Sequence, residues 1–298
     1  MSPRPARDSP SGRAYNDLRN LARRQGRDPA EFFTLYALEG FLARLADSEH
    51  ADGFVLKGGV LMAAFASRRP TRDIDLAAIA LSNDVAEAEQ RVRDIIGRPR
   101  DDGLDFDLSS VVGEPIRDEA DYSGVRVTFV AGLSTARVQI HVDVNFGDPI
   151  WPAPVETELP LLLGGTLRLQ GYPDHMVLAE KIVTAVERAS QNTRWRDFVD
   201  IASMASTREI EYDLLRDAVK VVAECRGVAV RPLGPLVTPM GESAQRKWMA
   251  WRRKQRLESS TSAELSALLD ACVAFADPVL RGESPGSRWS PEARRWCA

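Results

Sequence analysis

KGGVLMAAFASRRPTRDIDL, residues 57–76, holds the order of elements that decides the fold. A glycine pair ends the apolar run FVLK, a short apolar stretch follows, and two aspartates then flank one isoleucine. The pattern reads as a buried strand, a glycine turn, one or two helical turns and a second strand. Residues two apart on a strand share a face, so Asp73 and Asp75 project together while Ile74 and Leu76 point into the core. Two carboxylates about 4–5 Å apart repel by roughly 3–4 kcal/mol at an effective dielectric of about 20. A cation removes that cost, and Mg²⁺ typically takes one or two carboxylates together with substrate phosphates.

A third carboxylate stands in ARVQIHVDVNFG (136–147), where Val138, Ile140, Val142 and Val144 alternate with Gln139, His141, Asp143 and Asn145. Asp143 is an acid on the polar face of an otherwise apolar strand. Three carboxylates from adjacent strands suit one or two Mg²⁺ ions and the in-line transfer of a phosphoryl or nucleotidyl group from an NTP. Gly58 and Gly59, opening a helix, offer backbone amides to a triphosphate, and Lys57 and Arg72 add charge nearby. The same acid spacing recurs at Asp105 and Asp107 in DGLDFDL without a preceding glycine turn. Only the conjunction with strand, glycine pair and helix singles out Asp73 and Asp75.

The chain has 298 residues, enough for one large domain or two modest ones. A formal charge of −4 argues against a uniformly basic nucleic-acid binder but leaves room for a local basic face. Three cysteines without a CxxC spacing fit a reducing cytoplasm and give no cysteine metal site. Three histidines make a histidine-rich metal centre unexpected. No run approaches eighteen apolar residues, so no transmembrane helix and no membrane partner are expected. The basic start MSPRPARDSPSGR lacks the apolar core of a signal peptide, and residues 1–12 read as a flexible tail.

Helical spacing predicts helices over 13–26 and, after Asp28-Pro29, through about residue 48. Strands are expected at 53–59, 72–81, 106–116, 125–133, 136–147 and 166–173, with a helix at 83–96. From Pro173 onward the chain reads as helices at 174–190, 196–206, 213–226, 242–257 and 262–276. The shift from mixed to helical sets the expected boundary: a core domain over 13–171 and a mainly helical domain over 172–298. Trp289 and Trp296 in the last segment are expected to pack back on the body.

NLARRQGRDPAEFFTLYALEGFLARLADSEHADGFVLKGGVLMAAF (20–65), RRPTRDIDL (68–76), VDVNFGD (142–148) and AEKIVTAVERASQNTRWRDFVDI (179–201) together resemble the AbiEii/AbiGii toxin family. These are nucleotidyltransferase toxins of type IV-like toxin–antitoxin systems, within the DNA polymerase β-like superfamily. The resemblance spans about residues 15–205. It implies an α+β fold: a polymerase β-like nucleotidyltransferase core with a mixed sheet, then a C-terminal helical domain. It also implies that Asp73 and Asp75 are the metal-binding acids, with Thr71 at the preceding hydroxyl position, and that Asp143 is the third carboxylate. Lys181 matches the family lysine on the helix after the β-rich half, and its ammonium can reach a triphosphate as a point charge. Asp197 matches the acid of the following helix, with Asp200 as the neighbouring alternative. Members often carry Gly-Ser where this chain has Gly58-Gly59, so a hydroxyl contact to phosphate is missing. The implied partners are an NTP, a tRNA acceptor end and a cognate antitoxin encoded by a neighbouring gene. A protein or small-molecule hydroxyl as acceptor, and a catalytically silent antitoxin- or RNA-binding module, are the other readings.

GESAQRKWMAWRRKQRLE (241–258) is strongly basic, with Arg246, Lys247, Arg252 and Arg253 around Trp248 and Trp251. It reads either as an RNA-binding face, where cations meet phosphates and tryptophan stacks on an unpaired base, or as an amphipathic helix with its tryptophans in the core. Arg19, Arg23 and Arg24 form a second candidate patch.

Overall fold

The computed structural model describes residues 5–65, 71–117, 123–188 and 194–298. Arg68, Arg69 and Pro70 of RRPTRDIDL, the end of the helix expected over 174–190, and Gln191, Asn192 and Thr193 lie outside the described residues. Internal packing divides the chain into two units: 1–64 with 68–148 and 155–171, and 65–67 with 149–154 and 172–298.

In the first unit, α1 (Pro10–Arg24) begins inside the stretch expected to be a tail. Ser9 caps it by accepting from the Gly12 N–H at 3.1 Å, and Arg7 pairs with Asp17 at 2.7 Å. α2 (Pro29–Ala46) starts where Asp28 accepts from the Ala30 N–H at 3.0 Å, with proline at the first helical position. There follow β1 (Phe54–Lys57), α3 (Gly58–Phe65), β2 (Asp73–Ala78) and α4 (Val85–Ile96), the last capped by Asp84. β3 (Leu104–Arg117), β4 (Ser123–Leu133) and β5 (Ala136–Phe146) form a meander, and β6 (Val155–Pro160) and β7 (Thr166–Gly171) a hairpin.

These strands make one seven-stranded mixed sheet in the order β3-β4-β5-β2-β1-β7-β6. β2 runs parallel to β5, and β1 parallel to β7; the other neighbours are antiparallel. α2 packs on β5, and α4 on β3 and β4. Ile74, Leu76, Val125, Val127, Val142 and Val144 are each 2% exposed or less. Burying each such side chain contributes about 1.5–3 kcal/mol, which pins the register. A one-residue slip of β2 would send Asp73 and Asp75 into this apolar layer.

The second unit is mainly helical. Its elements are α5 (Asp174–Arg188), α6 (Trp195–Thr207), β8 (Ile210–Glu211), α7 (Tyr212–Cys225), α8 (Gly234–Val237), α9 (Met240–Ser243), α10 (Gln245–Lys254), α11 (Leu265–Arg281), β9 (Arg288–Ser290) and β10 (Arg295–Cys297). The helix expected over 242–257 is two helices, broken at Ala244. β10-β9-β8 form a small sheet not foreseen from the sequence. It holds Trp289 and Trp296 against Phe275, with ring centroids 4.9 and 5.5 Å away. The two indoles donate to the carbonyls of Ala205 and Phe275 at 2.7 and 3.0 Å. Among the described residues no helix is long and apolar enough to cross a membrane.

Candidate active site

The carboxylates meet because three registers coincide. Asp75 lies opposite Asp143 across the parallel β2–β5 pair, Asp143 opposite Arg126 on β4, and Arg126 opposite Glu114 on β3. On the other side, Asp75 faces Lys57 of β1. Cross-strand partners in register share a face. The result is one transverse row across five strands: Glu114, Arg126, Asp143, Asp75, Lys57. Asp73, two residues before Asp75, stands on the same face beside His141, whose Nδ1 lies 3.0 Å from the Thr128 hydroxyl.

Each member of the row is compensated differently. Arg126 forks onto Asp143, with Nε and Nη2 donating to its two oxygens at 2.7 Å each. This bond, before any other influence, raises the Arg126 pKa above the usual guanidinium value. The Lys57 ammonium donates to Asp148, and both side chains are 9% exposed. Asp75 retains some solvent contact as a residue, but its carboxylate is largely walled in by protein. Burial therefore pushes its pKa up. Lys57 and a hydrogen bond from the Gly59 N–H pull it down, while Asp143 and Asp73 push it further up.

The glycine pair fits this carboxylate. Gly58 has φ +66°, and a Cβ there would stand 1.9 Å from Asp75 Oδ2. The Gly59 N–H donates to Asp75. Thr71 is buried, and its hydroxyl lies 3.5 Å from the Asp73 carbonyl oxygen; Arg72 is exposed. Of the contrasting acids Asp105 and Asp107, the second is engaged locally within its own strand. Asp107 accepts from the Ser109 hydroxyl and N–H at 2.6 and 3.0 Å where the β3 register shifts, and the hydroxyl contact first of all lowers its pKa.

The donor set of Asp73, Asp75 and Asp143 consists of hard oxygens on one face, the chemistry Mg²⁺ takes. Among the described residues, however, no three His, Cys, Asp or Glu side chains are gathered closely enough to hold a metal as they stand. Both oxygens of Asp143 accept from Arg126. The three carboxylates fit the ion in kind and share one sheet face, and Asp73 with Asp75 supplies the one or two carboxylates Mg²⁺ typically takes.

Lys181, Asp197 and Asp200 form a second cluster, in the second unit. Lys181 Nζ donates to Asp200 at 2.7 Å and lies 3.5 Å from Asp197. All three are buried. Asp200 is thus the closer partner, where the resemblance put Asp197 first. Asp197 Oδ2 is 3.3 Å from Arg194 Nε without hydrogen-bond geometry.

The basic tryptophan segment divides. Trp248 is fully buried, stacked on Trp251 at 5.4 Å and edge-on to Trp195 at 6.2 Å, and its indole donates to the Ser262 carbonyl at 3.2 Å. It is not available to a base, because a large indole gains more from core burial than from exposure. Arg252 is spent on its own loop, donating to the Thr261 hydroxyl and carbonyl at 2.8 Å each and to the Glu258 carbonyl. Arg246, Lys247 and Arg253 are exposed; Trp251 is partly covered. The N-terminal arginines are better organised: Arg19, Asn20, Arg23, Arg27 and Pro29 line a pocket of about 290 Å³.

Sequence reasoning missed Arg126 and Asp148 as parts of the site. Both carried a signal. Arg126 interrupts VRVTFV in the strand preceding the Asp143 strand, and Asp148 closes VDVNFGD.

The sequence model of the nucleotidyl transferase AbiEii toxin family, of type IV toxin–antitoxin systems, matches residues 40–293, and the chain belongs to that family. It is a nucleotidyltransferase of the toxin class. No curated protein sequence matches the chain. Among solved structures it is similar to JHP933 from Helicobacter pylori, at 14% identity and TM-score 0.48, over 83% of this chain and 90% of that one. An antigenic nucleotidyltransferase-like protein from Paracoccidioides brasiliensis aligns at 15% identity and TM-score 0.36, over 80% and 92%.

Proposed function

We propose that the chain is a Mg²⁺-dependent enzyme that transfers a nucleotide from an NTP to the 3′-hydroxyl of a tRNA, so blocking aminoacylation and translation. The observation that carries this reading is the convergence of Asp73, Asp75 and Asp143 on one sheet face beside the Gly58-Gly59 turn. When bound at these carboxylates, Mg²⁺ supplies positive charge to the phosphate oxygens of the nucleotide. Asp73 and Asp75 are the holding residues, and Asp143 completes the set. The 3′-oxygen attacks the α-phosphorus, forming a new P–O bond. The bond to the β-phosphate oxygen breaks, and pyrophosphate leaves with the bonding pair. The hydroxyl proton passes to the Asp143 carboxylate. Gly58 and Gly59 keep the backbone close to Asp75 and hold that carboxylate in place. Thr71 and Arg72, next to Asp73 in sequence, are assigned to the nucleotide, and Lys57 balances the charge of Asp75. Lys181 is assigned to the triphosphate from the family resemblance, with Asp200 and Asp197 fixing its ammonium.

The tRNA acceptor is supported by the family's toxin character and by the arginine pocket of Arg19, Arg23 and Arg27, which suits a phosphate backbone. A cognate antitoxin from a neighbouring gene is the expected protein partner; its co-expression should relieve growth arrest. The decisive test of the acceptor is incubation with each α-labelled NTP and, separately, total tRNA, protein extract and small hydroxylated compounds. Label in tRNA at its 3′ end is expected. Label in protein or small molecules alone would overturn the tRNA assignment while leaving nucleotidyl transfer intact.

A further inference from the structure

We propose that Arg126 is a latch on Asp143: it holds the third carboxylate closed until a divalent cation and nucleotide arrive, then turns to the nucleotide's phosphates. The inference rests on the nucleotidyl-transfer reading of the site. Three observations lead to it. First, the hold is complete: both Asp143 oxygens accept from the Arg126 fork at 2.7 Å. A bidentate fork is the strongest geometry available to this pair, so it competes with a cation for the same carboxylate charge. Second, the hold is releasable. The Arg126 side chain is 39% exposed whereas that of Asp143 is 13% exposed, so the arginine can swing outward while the carboxylate stays. Third, the row supplies somewhere to go. Glu114, exposed and opposite Arg126 on β3, faces it from the other side. Asp73 also contributes to its positive-charge stabilisation. An arginine between acids on both sides keeps its charge at the site in either position.

The latch also resolves a conflict within the proposed chemistry. A cation approaching Asp143 in this state meets the positive guanidinium on both carboxylate oxygens. Opening the bond clears that charge from Asp143, and it delivers a planar, permanently charged fork to a phosphate, the group that fork matches. Arg126 is therefore a positioning residue for Asp143 and a contact for the nucleotide.

The test is Mn²⁺ binding, followed by electron paramagnetic resonance without and with a non-hydrolysable NTP, for wild type, Arg126→Gln, Arg126→Lys and Asp73→Asn. Without nucleotide, Arg126→Gln should bind Mn²⁺ up to about tenfold more tightly than wild type, because a partly exposed competitor has been removed. Arg126→Lys keeps the charge without the fork, should fold as wild type, and should fall between. With the NTP analogue the order reverses: the Gln variant should lose about tenfold in nucleotide affinity. Unchanged or weaker Mn²⁺ binding in both Arg126 variants, with wild-type binding still abolished by Asp73→Asn, would overturn the latch alone. Wild-type Mn²⁺ binding insensitive to Asp73→Asn, or none at all with nucleotide present, would overturn the latch and the metal reading beneath it.

Discussion

Replacing Gly58 with alanine probes how closely the backbone is fitted to Asp75. Gly58 has φ +66°, and the left-handed region costs a residue with a Cβ about 1–2 kcal/mol. The added methyl would also stand 1.9 Å from Asp75 Oδ2, 2.5 Å from its Cγ and 2.8 Å from its Cβ. Asp75 is anchored on a central strand and cannot swing away cheaply, so overpacking adds about 1–3 kcal/mol. The total is about 2–5 kcal/mol. Gly26→Ala is the control: it has φ +63° in the same unit, and nothing lies within 4 Å of an added Cβ. It should cost only the backbone term. Combining Gly58→Ala with Asp75→Ala removes the two closest contacts, so the pair should be non-additive by about 1 kcal/mol or more. Urea unfolding of the four variants reads these differences, and label transfer from NTP should be lost in Gly58→Ala because the carboxylate is displaced. Equal losses for Gly58→Ala and Gly26→Ala, with activity kept, would refute the fitted contact.

Three further outcomes follow from the same geometry. Asp75 has its pKa raised in the folded state, so the unfolded chain releases its proton first as pH rises. Its contribution therefore falls between the ordinary carboxylate value of 3.8 and the raised one, then stays low. Asp75→Asn should abolish transfer yet raise the melting temperature at neutral pH and flatten its decline; an unchanged profile would count against the buried charge. Lys181→Met leaves Asp200 and Asp197 as buried acids and should cost about 3–5 kcal/mol, with Asp200→Asn in the same chain recovering part of it; a neutral Lys181→Met would sink the buried ion pair. Cys272 is buried, and its thiol is pushed up to about 12 by that burial, so iodoacetamide at neutral pH should modify exposed Cys225 and spare Cys272 until urea is added. Mass spectrometry showing early Cys272 modification would contradict the packing of α11.

Much of the site was legible because its acids lie on strands with strong alternation. Asp143 stands out in VQIHVDVNF, and Asp73 and Asp75 stand out in RDIDL, since each apolar neighbour fixes which way the acid points. The start of α2 at Asp28-Pro29 was legible for the same local reason. What local pattern cannot show is pairing. That Arg126 sits opposite Asp143, or Lys57 opposite Asp75, depends on cross-strand register, and that Asp75 meets Asp143 depends on the non-consecutive pair β2–β5. β6 was missed because VETELP is polar and mostly exposed, without the apolar face that marks a strand. Trp248 and Arg252 illustrate the converse. Their basic, aromatic surroundings look like an RNA surface, and only tertiary packing reveals an indole in the core and a guanidinium tied to loop carbonyls.

The central claim is that the three carboxylates on one sheet face are the catalytic centre. Single-turnover label transfer from NTP, with wild type, Asp73→Asn, Asp75→Asn and Asp143→Asn all shown folded by circular dichroism, tests it most directly. Each substitution should slow transfer on the order of a thousandfold or more. Any one of the three retaining transfer within about tenfold of wild type would contradict the assignment of that residue, and all three doing so would contradict the site.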